Sequence, residues 1–164
     1  MAIEPKEIPK TVLLVEDSLG DVRLTLEAFK EDNHAVKLYV VPDGVVAMTF
    51  LRREGKYANV PRPELILLDL NLPKMGGREV LAQIKADASF RTIPTIILTT
   101  SAAPEDVEDC YNLQANSYLC KPVGFELFDK LVKDISNFWL TNALLPRPGA
   151  LKVSAPSGAS QLIN

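Results

Sequence analysis

Two periods of hydrophobicity take turns along this chain, and that alternation limits its fold more than any other feature. Short continuous apolar runs fall at 11–15 (TVLLV), 36–41 (VKLYVV), 65–69 (LILLD), 94–99 (PTIILT) and 117–120 (SYLC). Runs of this kind, rich in Val, Ile and Leu, read as strands covered on both faces. Between them lie segments with helical spacing. Residues 21–31 carry Val22, Leu24, Leu26 and Phe29, residues 43–54 carry Val46, Ala47, Phe50 and Leu51, and residues 76–87 carry Val80, Leu81 and Ile84. Two more helices are read at 104–113 and from 125 to about 140, with Asp43 as a capping residue and Pro104 in a first turn. The expected class is α/β, with five parallel strands and helices on both faces.

At 164 residues, 47% apolar and 24% charged, the chain is long enough for one domain with a real core. One folded domain at 10–140 is expected to be followed by a C-terminal extension, 141–164, rich in Pro, Gly, Ser and Ala and expected to be partly flexible. A net charge of −3 argues against a nucleic-acid surface. No run approaches the ~20 apolar residues that span a bilayer, so no membrane role is expected. The opening MAIEPKEIPK has no apolar core and does not read as a secretory signal. Cys110 and Cys120 form no ligand motif and read as two buried free thiols of a cytoplasmic protein. His34, the one histidine, sits in a polar turn and is expected to be exposed.

In an open α/β sheet, ligands bind beyond the carboxyl ends of the strands. Those ends carry Glu16-Asp17, Asp69, Thr99 (with Thr100 and Ser101) and Lys121-Pro122. Each alone is weak, since an acid after a strand is usually a loop cap and a lysine there usually faces solvent. Together they make chemical sense. Three convergent carboxylates repel unless a cation joins them, and an all-oxygen set suits Mg2+. A carboxylate can attack phosphorus to form an acyl phosphate, and a lysine and a hydroxyl can stabilise the transferred oxygens.

VLLVEDS, LLDLNLPKMGG, PTIILTT and SYLCKP also resemble, in order, the four signature blocks of the receiver domain of two-component response regulators. The resemblance implies a flavodoxin-like sheet of order 2-1-3-4-5 and Asp69 as an exposed phosphoacceptor. It implies Glu16, Asp17, Asp69 and the backbone carbonyl of Asn71 as Mg2+ ligands, with Thr99 and Lys121 contacting the phosphoryl group. It further implies a cis Lys121–Pro122 bond, Thr99 and Tyr118 as switch residues, a sensor histidine kinase as partner, and output through the fourth helix, fifth strand and last helix. Thr100 departs from the small residue usual after the conserved hydroxyl. Such a protein is a phosphoacceptor, with at most slow self-dephosphorylation, and not a turnover enzyme.

The last helix carries a stripe of Phe125, Phe128, Val132, Ile135 and Trp139 that should face the sheet. Leu127, Leu131 and Phe138 widen it, and Leu144 and Leu145 prolong it, which suggests a homodimer surface. NFWLTNALLP and the loop GKYANVPRP resemble the single-domain regulators that pair with cyanobacterial phytochrome kinases. Three other readings are weaker. A haloacid-dehalogenase-type phosphatase needs a second Asp where Asn71 stands. A flavodoxin-like cofactor binder needs a phosphate-cradling loop where EDSLGD places acids. A non-phosphorylated scaffold has no support beyond Thr100.

Overall fold

The computed structural model describes residues 8–32 and 35–146. Strands β1 (Lys10–Val15), β2 (Val36–Val41), β3 (Leu65–Leu68), β4 (Thr95–Thr99) and β5 (Ser117–Cys120) alternate with helices α1 (Leu19–Glu31), α2 (Gly44–Leu51), α3 (Gly77–Ala86), α4 (Pro104–Asn112) and α5 (Phe125–Ile135). The strands pair in parallel in the order β2-β1-β3-β4-β5, as the resemblance implied. Each element falls where the two periods placed it, with ends shifted by no more than three residues except at the last helix.

Successive side chains of a strand point to opposite faces, so the interior strands feed two cores. Leu13, Val15, Ile66, Leu68 and Ile97 pack with residues of α2, α3 and α4. Val12, Leu14, Leu65, Leu67, Ile96 and Leu98 pack with residues of α1 and α5. The register then aligns the carboxyl ends, because Val15 pairs with Leu68 and Thr99 with Cys120. Glu16, Asp69 and Lys121, each the residue after its strand, therefore emerge on one edge of the sheet.

Four expectations need correction. β2 and β5 are not covered on both faces: each is an edge strand with one neighbour, and both are largely half-exposed despite their apolar runs. Cys110 is buried but Cys120, at the end of edge strand β5, is exposed. The Lys121–Pro122 bond is trans. An X–Pro bond prefers trans by only about 0.5–1 kcal/mol, and the turn is made at Gly124, whose φ of 100° a residue with a side chain adopts poorly.

The fourth correction concerns the last helix. Its α-helical part ends at Ile135 and continues as a π-helical turn, Ser136–Asn142. The five-residue spacing of a π turn moves the next buried position from Trp139 to Leu140. Phe128, Val132, Ile135 and Leu140 are buried, while Trp139 is only half-buried and Phe125 and Phe138 are exposed. Inside this turn the Ser136 hydroxyl donates to the Asp32 carboxylate, and the Lys10 ammonium donates to the Leu140 carbonyl. His34 and residues 147–164 of the extension lie outside the described residues.

Candidate functional site

The acids reach the sheet edge by continuing the strand ladder. Glu16 N–H donates to the Val41 carbonyl at 3.0 Å, and Asp69 N–H to the Val15 carbonyl at 3.1 Å. Each thereby keeps a strand-like backbone for one residue more, which turns its carboxylate into the crevice. Carboxylate oxygens of Glu16, Asp17 and Asp69 lie within 4.8 Å of one another. Asp17 is exposed, but Glu16 and Asp69 are 4% and 6% exposed. Asp69 is thus not the exposed group expected. The loop after β3 covers it: Asn71 N–H donates to Asp69 Oδ1 at 3.2 Å, and Gly77 N–H to the Leu70 carbonyl at 3.0 Å. A Cβ at position 77 would sit 2.2 Å from the Asp69 carbonyl oxygen, so this packing requires glycine.

Lys121 fills the crevice. Its N–H donates to the Thr99 carbonyl at 2.7 Å, and its ammonium lies 2.6 Å from Glu16 Oε2, 2.7 Å from Asp21 Oδ2 and 3.0 Å from Asp69 Oδ2. Burial pulls the ammonium down, but hydrogen bonds to Asp21 and Glu16 and the nearby carboxylate charges more than reverse this and hold it firmly protonated. Burial, aided by the charge of Asp69, pushes Glu16 up to about 7 against the lowering effect of Lys121 and the Ser18 N–H. The Glu16 shift is chiefly the cost of burying its charge, and that of Lys121 reflects the carboxylates around it; with several acids and one ammonium, the crevice favours a further cation. The oxygen-only donor set fits a hard divalent cation such as Mg2+.

Thr99 is fully buried, and its Oγ1 has no hydrogen-bond partner, a costly state for a hydroxyl. Thr100 is exposed at the rim. Tyr118 stands apart from the acids, with its hydroxyl donating to the Ser101 carbonyl at 2.8 Å. Burial raises its pKa. The Ser101 hydroxyl donates to Asp106, and Arg78 of α3 pairs with Asp106 and Asp109 of α4. A chain of polar contacts therefore runs from β5 through the loop after β4 to α4 and α3.

Asp21 was not anticipated as a site residue. It follows Asp17 by four residues in EDSLGD, a spacing that returns a side chain to the same side once a helix begins. Of the surface residues proposed from sequence, Leu127, Phe138 and Leu144 are exposed, and Leu131, Trp139 and Leu145 are half-buried. Leu131, Phe138 and Trp139, with Leu119, Ile135 and Asp134, line an open hollow of about 560 Å3 at the far end of α5.

Residues 12–133 match the family described as response regulator receiver domain. Response regulator Rcp1 of Synechocystis sp. is 48% identical over 138 residues, spanning 84% of this chain and 94% of that protein. The crystal structure of the phosphorylated cyanobacterial phytochrome response regulator RcpA superposes with a TM-score of 0.83 at 45% identity, covering 85% of this chain and 100% of that one. The Mn2+-bound form of response regulator Rcp1 superposes at 0.82 and 47% identity, covering the same 85% and 100%.

Proposed function

Since the chain belongs to the response regulator receiver family, we propose that it accepts a phosphoryl group on Asp69 from a sensor histidine kinase of the phytochrome type, in a Mg2+-dependent reaction. The observation that carries this reading is the meeting of the Glu16, Asp17 and Asp69 carboxylates, with the buried Lys121 ammonium paired to Glu16 and Asp69. In the step proposed, an Asp69 carboxylate oxygen forms a bond to phosphorus as the donor's phosphorus–nitrogen bond breaks. The electron pair leaves with the imidazole nitrogen, and Asp69 becomes an acyl phosphate. Mg2+ held by Glu16, Asp17, Asp69 and the Asn71 carbonyl would supply positive charge to the phosphoryl oxygens. Lys121, already on Asp69, supplies a second positive charge without rearrangement. That the phytochrome regulators RcpA and Rcp1 are the similar proteins supports the kinase type, and exposed Leu19 and Val123, near the partners Asp21 and Lys121, offer apolar footing for a protein donor.

Phosphorylation would add close to two negative charges at the end of β3, the neighbour of β4, whose Thr99 hydroxyl has no hydrogen-bond partner. We assign the switch to that hydroxyl: Thr99 turns toward the phosphoryl group, the loop after β4 follows, and Tyr118 leaves the Ser101 carbonyl and rotates inward. The surface of α4, β5 and α5 is the output, reached through Ser101, Asp106 and Arg78. The exposed apolar side chains of α5 and its π turn support a homodimer on the neighbouring face.

Intact mass after incubation with Mg2+ and a small acyl phosphate tests the core of this reading. One added phosphoryl group is expected, absent in Asp69→Asn and without Mg2+. If neither the small donor nor a phytochrome-type kinase adds it, the protein is a receiver-like scaffold instead.

A further inference from the structure

Four carboxylates, not three, meet at the strand ends. Asp21 Oδ2 is 2.7 Å from Lys121 Nζ, nearer than Asp69 at 3.0 Å. Asp21 stands in the first turn of α1, three residues after the capping Ser18, whose Oγ accepts its N–H. An acid in that place ordinarily reaches back to the N–H of the cap and closes a capping box. Here the Ser18 N–H is given to Glu16 Oε1 at 3.0 Å, and the Asp21 carboxylate turns to Lys121 instead. Its backbone is pinned on the other side by Thr25, whose hydroxyl donates to the Asp21 carbonyl at 2.7 Å. A helix-start acid has been diverted into the crevice.

The diversion answers a conflict within the site. The other two anions on Lys121, Glu16 and Asp69, both belong to the carboxylate group that would hold the cation. An ammonium and a divalent cation drawn to the same oxygens compete. With its side chain 6% exposed, Lys121 has little access to water as a substitute partner. Asp21 is the partner of Lys121 that lies outside the cation-holding group, and at 29% exposure its own charge is cheap to maintain. Resting on the receiver reading above, we propose that Asp21 is a positioning residue for Lys121. It anchors the ammonium on a carboxylate that the cation does not use, so that Lys121 and Mg2+ share the site with the ammonium still aimed at Asp69.

The test is a double-mutant cycle read by calorimetric Mg2+ titration of the full chain, with Asp21→Asn, Lys121→Gln and the double variant. Asp21→Asn is expected to weaken Mg2+ binding about tenfold, the usual scale for losing an outer partner of a metal site. In the Lys121→Gln background, where nothing competes for Glu16 and Asp69, the same change should weaken binding by less than about twofold, the ratio between backgrounds being their coupling. An equal factor in both backgrounds would mean that Asp21 acts only as a distant charge, and no weakening in either would mean that it does nothing for the cation; both results overturn the proposal. If Lys121→Gln does not fold, the Lys121 ammonium resonance decides. Shielded from solvent exchange in the Mg2+-bound wild type, it should be lost in Asp21→Asn, and its persistence refutes the anchor. Wild-type protein that neither binds Mg2+ nor gains a phosphoryl group on Asp69 would instead defeat the parent reading, and this inference with it.

Discussion

Two regions of this molecule reverse the usual division between apolar inside and polar outside, and they do so in opposite senses. The strand ends bury charge: Glu16, Asp69 and most of Lys121 are shut away from water. The last helix and its π turn expose hydrocarbon, with Leu127 and Phe138 more than half accessible and Leu144 at 99%. The buried charge finds its complement inside the chain, through three ion pairs to one lysine. Among the described residues, the exposed hydrocarbon has no cover of its own. The first region is therefore held together from within, with negative charge left for one more cation, whereas the second gains most from another surface.

Removing the lysine should break that self-sufficiency and have the largest effect. Lys121→Ala leaves two buried carboxylates facing each other, a loss on the scale of about 3–5 kcal/mol. The sign with pH follows from Glu16, whose carboxyl is held up at about 7 even with the lysine present. A carboxyl raised above its ordinary value stabilises the fold when protonated and stops doing so as pH rises through the raised value. The cost of Lys121→Ala should thus be smaller at pH 6 than at pH 8. Saturating Mg2+ should recover part of it at pH 8. Urea unfolding at both pH values, with and without Mg2+, measures this; a cost independent of pH and cation would mean the acids do not depend on Lys121.

How far each region was legible in the sequence follows the same division. Glu16, Asp17, Asp69, Thr99 and Lys121 could be placed because strand ends in a parallel sheet share one edge, so recognising the strands locates the residues after them. Asp21 could not, since an acid in a first helical turn has an ordinary explanation in capping and the helix dipole. Its partner lies 100 residues away, which no local pattern reveals. The sheet order came with the family resemblance, and the exposure of β2 and β5 depends on which strands have only one neighbour. On the last helix, the apolar stripe assumed one rotation per residue throughout. A π turn breaks that assumption, because the burial of Leu140, the contact between Ser136 and Asp32 and that between Lys10 and the Leu140 carbonyl involve residues far apart in the chain.

That register change predicts the next effect in size. Leu140→Ala should cost about 2–5 kcal/mol, as for a buried leucine, and Trp139→Ala clearly less. A regular α-helix would place Trp139 inward and reverse the order. Thermal unfolding of the two variants side by side distinguishes the registers.

Thr99 offers a smaller effect of unusual sign. Its buried hydroxyl has no partner, so the near-isosteric Thr99→Val should stabilise the unphosphorylated protein by about 1 kcal/mol. The same variant should lose the link between phosphorylation and Tyr118, read as a phosphorylation-dependent change in tyrosine fluorescence that disappears. If Thr99→Val destabilises, the hydroxyl has a partner in solution and is not held in reserve for a phosphoryl oxygen.

The exposed apolar face should respond in the opposite way to the charged crevice, with almost nothing lost from the folded chain and much lost from its association. Leu127 and Phe138 project from α5 and the π turn, and neither belongs to a core cluster. Leu127→Glu and Phe138→Glu should change unfolding free energy by no more than about 0.5 kcal/mol, the usual range for surface positions. If a second copy covers this face, each substitution places two carboxylates in an apolar contact related by two-fold symmetry, since residues near the axis of such a pair meet their own counterparts. Sedimentation velocity should then show wild type moving from monomer to dimer as concentration rises, and both variants staying monomeric. A wild type that sediments as a monomer at every concentration would leave this face to a different protein, and an association that survives Phe138→Glu would move the dimer elsewhere on the surface.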